Sequence, residues 1–237
     1  MNLSQNIFLF NKPYRWTSFD VVRKVKGAII GKLKREAEDP HQRINLKVGH
    51  AGTLDPLATG LLVICTGANT KKIQAIQDSE KEYTGTFYLG ATTASHDLEL
   101  EVIKLQDVNN LDEDLLQKTV LSFLGKQNQT PPAFSAVKVE GKRAYTLARK
   151  GEKPEIKPKE VEIKAFEITA IRLPELEFRV VCSKGTYIRV LAHEFGEKLG
   201  TGAYLSSLCR TRIGEYTLDK ALDPLEFSLQ LSDKQAD

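Results

Sequence analysis

The sequence predicts an α+β fold. Segments with strand character and segments with helically spaced apolar residues are mixed along the chain, without the regular alternation that a doubly wound sheet requires. Gly and Pro residues punctuate these segments at the expected turns. The 237 residues are 41% hydrophobic and 27% charged, which is ordinary for a globular protein with a buried core.

The first elements follow from local patterns. Residues 7–10 predict a short strand that ends in the turn Asn11-Lys12-Pro13. A helix is expected over residues 19–35, because apolar side chains recur there near helical spacing and Thr17 or Ser18 can cap its first turn. A polar loop, a glycine-rich turn, an apolar run and a short helix are expected next, over residues 36–46, 49–56, 61–65 and 69–77.

The rest of the chain continues the mixture of strands and helices. Strands are predicted over residues 82–89, 134–139, 160–171, 176–182 and 204–218, and helices over residues 112–123, 143–150 and 187–199. Glu140-Gly141 predicts a turn between the strand over residues 134–139 and the helix over residues 143–150.

Positive charge is concentrated in two stretches. Residues 21–35 carry six basic side chains and no acidic one, and residues 138–159 carry eight basic and three acidic ones. Such stretches favour a polyanionic partner, since each phosphate that Lys or Arg neutralises releases a counterion. A solvated helix face is the alternative that charge alone leaves open.

Several classes of protein are disfavoured. Cys65, Cys182 and Cys209 are odd in number and widely spaced, so neither a disulfide framework nor a zinc site is indicated. The longest apolar runs are far shorter than the roughly 20 residues of a membrane span, and the N-terminus lacks the features of a signal peptide. We expect a cytoplasmic protein. The sequence contains no P-loop and no GxGxxG motif, and we expect no cofactor or metal.

The segment most informative about chemistry is GHAGTLDPLATG, residues 49–60. Glycines before and after Asp55-Pro56 predict a tightly folded loop, because glycine tolerates conformations and close approaches that other residues do not. Such a loop can present the Asp55 carboxylate to a ligand. A simple turn at Asp-Pro is the alternative.

Five segments match one known family, in the order in which that family has them. They are NKPYRWTSFDVV, GHAGTLDPLATGLL (residues 49–62), KEYTGTFYLG, PPAFSAVKVEGKRAYTLARKG and CSKGTYIRVLAHEFGEKLG. Together they resemble the bacterial tRNA pseudouridine synthase B family and span nearly the whole chain. Ordered matches over this length are far more specific than one short motif.

The resemblance implies site residues one by one. Asp55 corresponds to the catalytic aspartate of the family, Tyr83 to its active-site tyrosine and Arg189 to the arginine that pairs with the aspartate. The residues alone favour a core aromatic for Tyr83, and they leave open that Arg189 is an ordinary surface arginine of a helix. Contacts to the base are implied for His50, Tyr187 and Leu208, and contacts to RNA for Lys142, Arg143 and Arg149.

The implied activity is the conversion of uridine to pseudouridine at position 55 of the tRNA T loop, without a cofactor and on a flipped-out base. The glycosidic bond from N1 to C1′ is broken and the base is rejoined through C5. A carboxylate can serve by attacking C1′, by attacking C6, or by removing the C2′ proton, and the residues leave these three routes open.

The resemblance also implies an architecture, a central mixed, largely antiparallel sheet flanked by helices, with an RNA-gripping flap at about residues 131–159. The catalytic domain is expected over residues 1–217. Residues 218–237 would be a short extension, with no full PUA domain. We expect a monomer that binds the T stem-loop of tRNA and needs no obligate protein partner or membrane.

The chain departs from the family pattern at Ala94 and Ser95, which precede Asp97, and at Cys209, which stands where a second arginine often precedes Arg210. Two alternatives remain. One is a pseudouridine synthase with another RNA target, such as the relatives that use guide RNAs, and the other is a non-catalytic RNA chaperone on the same scaffold.

Overall fold

The structure is a computed structural model that describes residues 2–39, 42–108, 111–135, 137–139, 141–148, 150–152 and 154–232. The helices are α1 (Ser18–Glu36), α2 (Ile73–Asp78), α3 (Glu113–Leu121), α4 (Ala144–Ala148), α5 (Ile188–Leu199) and α6 (Pro224–Ser232). The strands are β1 (Ile7–Lys12), β2 (Val48–His50), β3 (Thr59–Thr66), β4 (Lys81–Leu89), β5 (Ala91–Thr93), β6 (Val102–Lys104), β7 (Gly125–Gln129), β8 (Lys138–Val139), β9 (Lys142–Arg143), β10 (Lys159–Arg172), β11 (Glu175–Cys182), β12 (Ala203–Ile213) and β13 (Tyr216–Thr217). The predicted α+β class is confirmed.

The chain divides into two compact units. Unit one comprises Met1–Lys81 and Cys209–Asp237, and unit two comprises Glu82–Leu208. Strand β12 therefore contributes its first residues to unit two and its last residues to unit one.

In unit one, β3 pairs antiparallel with β1 and β2 and in parallel with the end of β12. Helix α1 begins at a capping box, in which Thr17 and Asp20 satisfy each other's backbone N–H groups. Its buried residues join the core formed by the strands. Phe227 of α6 packs against the rings of Phe8 and Phe10 at 5.4 and 5.1 Å. The segment expected to be a mere extension thus supplies part of the core of unit one.

In unit two, the strand order is β12, β4, β11, β10 and β7. Strand β10 is antiparallel to both β11 and β7. One face of this sheet carries a cluster of phenylalanine rings, in which Phe87 and Phe178 lie 4.2 Å apart and Phe195 lies 5.5 Å from Phe87. Aromatic burial of this kind gives β4 and α5 fixed positions within the unit.

Several sequence predictions need correction. Strand β1 continues through Asn11 and Lys12, which pair with Leu61 and Gly60, so the turn predicted there is wrong. The strand predicted over residues 134–139 is reduced to β8. The helix predicted over residues 69–77 begins as a 3-10 helix, Gly67–Lys72, and only then becomes α2. No helix within the described residues is long and apolar enough to cross a membrane.

Candidate active site

Asp55 lies in unit one, on the loop that joins β2 to β3, and its side chain is partly exposed. The Asp55 carbonyl accepts the N–H of Ala58 at 3.1 Å. Gly60 has a φ of +102°, and a Cβ there would clash with the backbone of Arg210 on the neighbouring strand. Glycine is therefore required at this position, and the loop can close tightly around Asp55.

Arg210 is a buried side chain that is hydrogen-bonded to the backbone of this loop. It is only 1% exposed, and its guanidinium donates to the carbonyls of Gly52 and Leu61, both at 2.9 Å. A weaker contact of 3.5 Å joins it to the Thr53 carbonyl. Because Gly52 precedes Asp55 and Leu61 follows it, the guanidinium ties together the two ends of the loop.

Lys12 is a second buried cation under the same loop. Its Nζ donates to the carbonyls of Pro13, Trp16 and Pro56 at 3.0, 2.6 and 3.2 Å. Burial lowers the pKa of Lys12 to about 8, against the opposing attraction of the Asp55 carboxylate. The sequence pattern placed Lys12 in a turn and indicated no role for Arg210, so neither buried cation was predicted.

We expect the pKa of Lys12 to be visible in the pH dependence of catalysis. Below about pH 8 the ammonium is protonated and donates to the carbonyls of Pro13, Trp16 and Pro56, whereas the neutral amine above that pH has no charge and only two N–H groups, so a hydrogen bond that orders the Asp55 loop is lost. The single-turnover rate at saturating enzyme should therefore fall as the pH rises through about 8. In Lys12→Met the rate should be lower and this falling limb absent. Melting temperatures measured at each pH exclude unfolding, and the same limb in both proteins would contradict the assignment.

His50 ends β2, five residues before Asp55, and is half-buried. Its carbonyl accepts a hydrogen bond from the side chain of Gln77 at 3.4 Å. Burial lowers the pKa of His50, and the positive charge of Arg210 lowers it further. His50 is therefore neutral at pH 7 and offers a flat, uncharged ring beside the loop.

In unit two, Tyr83 lies on β4 and is 9% exposed. The alternation of the strand places it on the same buried face as Phe87 and Leu89. The structure thus places Tyr83 among buried residues, and its role towards a base stays a prediction.

Arg189 is the second residue of α5 and is 4% exposed, so it is not a surface arginine. One guanidinium nitrogen lies 3.4 Å from the Asp97 carboxylate, and the other donates to the Phe134 carbonyl at 2.8 Å. Asp55 and Arg189 belong to different units, and their predicted pairing stays a prediction.

The loop that carries Asp97 accommodates one of the departures from the family pattern. The hydroxyl groups of Thr93 and Ser95 donate to the Asp97 carbonyl at 2.7 and 3.1 Å. The Ser95 oxygen also accepts the N–H of Leu100 at 3.2 Å. Ser95 therefore performs a structural role, whereas Ala94 is exposed.

Tyr187, which precedes α5, is fixed by a residue that sequence analysis missed. The side-chain amide of Gln129 accepts the Tyr187 N–H at 2.7 Å and donates to the Tyr187 carbonyl at 3.1 Å. Gln129 is 2% exposed and follows four polar or small residues in β7, so no local pattern singles it out. Leu208, on β12, is half-buried.

The predicted flap contains the hairpin of β8 and β9, with Gly141 at a φ of +82° in its turn. Lys142 is exposed on β9, and the backbone of Arg143 belongs to the same strand. Arg149 lies outside the described residues. Among the described residues, no group of three or more His, Cys, Asp or Glu side chains is placed to hold a metal ion.

Comparisons with known proteins now define the class. The sequence model described as "TruB family pseudouridylate synthase (N terminal domain)" matches residues 41–188, which include the Asp55 loop and β4. The class is therefore that of the pseudouridylate synthases, enzymes that isomerise uridine.

Curated relatives are similar over nearly their full length. "tRNA pseudouridine synthase B" of Flavobacterium johnsoniae is 50% identical over 221 residues, which cover 93% of this chain and 93% of the relative. The protein of the same name from Bacteroides fragilis is 48% identical over 229 residues, which cover 96% and 95%. The chain belongs to the TruB family.

Solved structures share the fold. A chain in the crystal structure of a Cbf5-Nop10-Gar1 complex is 28% identical with a TM-score of 0.66, covering 92% of this chain and 51% of that one. A chain of the archaeal box H/ACA sRNP Nop10-Cbf5 complex is 24% identical with a TM-score of 0.67, covering 97% and 54%. This chain thus spans about half the length of these structural relatives. The predicted pseudouridine synthase fold is confirmed.

Proposed function

We propose that this enzyme converts uridine to pseudouridine at position 55 in the T loop of tRNA, with the Asp55 carboxylate as its catalytic group. The observation that carries the proposal is a partly exposed aspartate on a glycine-bounded loop, with two buried cations, Lys12 and Arg210, bonded to the carbonyls of that loop. The names of the curated relatives, tRNA pseudouridine synthase B, support the choice of substrate.

The reaction is balanced without an added group. The bond from N1 to C1′ breaks, the bond from C5 to C1′ forms, the proton on C5 leaves, and N1 gains a proton, so the product is an isomer of the substrate. The carboxylate must be ionised to attack C1′ or C6 or to remove the C2′ proton, and the positive charges of Lys12 and Arg210 favour that form. Because these cations are already bonded to loop carbonyls, they hold the backbone of the loop before substrate arrives.

The remaining assignments come from the family resemblance. Arg189 would orient the Asp55 carboxylate and Tyr83 would support the flipped base, while three further residues would line the pocket of that base, namely His50, Tyr187 and Leu208. The partner would be the T stem-loop of tRNA, bound by a monomer in the cytoplasm without an obligate protein partner.

The decisive test is incubation of the purified protein alone with an unmodified tRNA transcript, followed by mapping of pseudouridine. One pseudouridine at position 55 is expected, and none in a matched transcript that has cytidine at that position. Modification only in the presence of a guide RNA would indicate a guide-dependent enzyme. Binding of the transcript without modification would indicate a non-catalytic RNA chaperone.

We also expect the flap to contact phosphates. Replacing Lys142, Arg143, Arg149 and Lys150 by Ala should weaken tRNA binding and reduce its dependence on salt, since each lost phosphate contact removes about one unit of log–log slope at most. Filter binding from low to moderate salt measures this slope.

A control matched in charge removes four basic residues of unit two that already pair with carboxylates, namely Lys104, Lys126, Arg172 and Arg179. This control should leave the slope nearly unchanged. An unchanged slope in the flap variant would show that the flap does not touch the RNA backbone.

A further inference from the structure

The segment over residues 14–19, which includes the first two residues of α1, is hydrogen-bonded directly to the Asp55 loop. The N–H of Arg15 donates to the Pro56 carbonyl at 2.8 Å. The Ser18 hydroxyl accepts the N–H of Leu54 at 2.8 Å. These bonds reach the residues on either side of Asp55, so the segment over residues 14–19 has a fixed position beside the proposed catalytic group.

Two large aromatic side chains of this segment face solvent. Tyr14 is 50% exposed and Phe19 is 66% exposed. Phe19 occupies the first turn of α1, whose opposite face is buried through Val21, Val22 and Val25. Exposed phenylalanine adds little to the core, and aromatic rings at the surface offer faces on which unstacked bases can stack.

Each aromatic ring has an arginine beside it. The guanidinium carbon of Arg15 lies 5.5 Å from the centre of the Tyr14 ring, and that of Arg23 lies 6.0 Å from the Phe19 ring. Rings that stack on bases, placed next to cations that meet phosphates, are the combination by which proteins bind unstacked RNA nucleotides. Asp20 also lies here and pairs with Arg23, so Arg15 supplies the greater part of the unneutralised charge.

The backbone of Arg15 gives independent support. Its φ is +66°, in the left-handed region that favours glycine. An arginine in this conformation is strained, and such strain tends to occur where a side chain serves a ligand. The position would fold more easily with glycine, which has no side chain to contact RNA.

We propose that Tyr14, Arg15, Phe19 and Arg23 form a binding surface for the unstacked nucleotides that flank the target uridine. Tyr14 and Phe19 stack on bases, and the two arginines contact phosphates. The proposal rests on the proposed function, since it takes the substrate to be an RNA loop whose target base enters the Asp55 site.

The first test replaces both rings by an apolar side chain without a π face, in Tyr14→Leu/Phe19→Leu. Affinity for an unmodified tRNA transcript, measured by filter binding, should weaken by about fivefold or more, as expected for the loss of base–aromatic stacking. Leu229→Ala is the control, because Leu229 is a 64% exposed apolar residue of the same unit. The control should bind as the wild type does, and a double variant that also does so would overturn the proposal.

The second test uses Arg15→Gly. Its melting temperature should equal or exceed that of the wild type, because glycine adopts the required φ without strain. Its tRNA affinity should nevertheless fall, with a log–log salt slope reduced by about one unit at most. A lower melting temperature with an unchanged slope would show that Arg15 serves the fold alone and would refute its role in binding.

Binding is measured separately from turnover, so the two proposals fail separately. A wild-type protein that binds the transcript without making pseudouridine contradicts the proposed function. The affinities of the ring and Arg15 variants still decide whether the proposed surface binds RNA. An active wild type whose ring and Arg15 variants bind normally contradicts only the surface.

Discussion

Asp55→Asn is expected to abolish pseudouridine formation, with a loss of at least about 10³-fold in the single-turnover rate, while tRNA binding stays within a few-fold of the wild type. The amide has the shape of the carboxylate, so the loop between β2 and β3 should keep its fold. The amide lacks the negative charge of the carboxylate, and with it the nucleophilicity that attack on C1′ or C6 requires and the basicity that removal of the C2′ proton requires. Single-turnover mapping of pseudouridine at saturating enzyme measures the rate, and filter binding measures the affinity.

The matched control for this variant is Asp107→Asn. Asp107 is also an aspartate, but its side chain is 73% exposed and it pairs with the exposed Lys104. Surface ion pairs of this kind contribute little, so the control should keep full activity. Turnover by Asp55→Asn above the background of a reaction without enzyme would remove Asp55 from the catalytic role.

Local patterns were sufficient for the parts of the molecule that depend on neighbours in sequence. Thr17, three residues before Asp20, predicts the start of α1 because a capping box is a local structure. The glycines around Asp55 likewise predict a tight loop, and Gly60 lies where only glycine fits. The tight loop at Asp55 was therefore predictable from local pattern, whereas the catalytic role of Asp55 comes from the family resemblance and stays a prediction.

Long-range polar contacts were not predictable in the same way. Lys12 and Arg210 are buried cations in strands, and their partners are carbonyls that only the folded sheet brings near. Gln129 reaches Tyr187 across 58 residues. Patterns in a single sequence indicate alternation and helix caps, which depend on neighbouring residues. They do not indicate which side chain will hydrogen-bond to the backbone of a distant loop.

Helix α6 was missed although a local signal exists. The Asp223 carboxylate accepts the N–H groups of Leu225 and Glu226 at 2.7 and 3.0 Å, and Pro224 occupies the first helical position. An aspartate before a proline is a recognised start of a helix. Packing of Phe227 on Phe8 and Phe10 then makes this segment part of the core.

The burial of Arg189 permits a sharp test of its role. Arg189→Lys keeps the positive charge but loses the planar fork that can grip two oxygens of a carboxylate. If Arg189 orients Asp55, the single-turnover rate at saturation should fall roughly ten- to a hundredfold, the effect of a lost charged hydrogen bond, while the dissociation constant for tRNA changes little. If it contacts phosphate instead, the loss should appear in affinity.

The contacts that the structure does give Arg189 define the remaining alternative. Within unit two its guanidinium joins Asp97 to the Phe134 carbonyl, so a purely structural arginine would reveal itself as a lowered melting temperature in Arg189→Lys. Arg179→Lys is the control, because Arg179 also pairs with carboxylates of unit two, those of Glu82 and Glu167. A reduced rate with an unchanged melting temperature, absent from the control, supports orientation of Asp55. A normal saturating rate in Arg189→Lys would take Arg189 out of the catalytic group and leave Asp55 with Lys12 and Arg210 as its supporting cations.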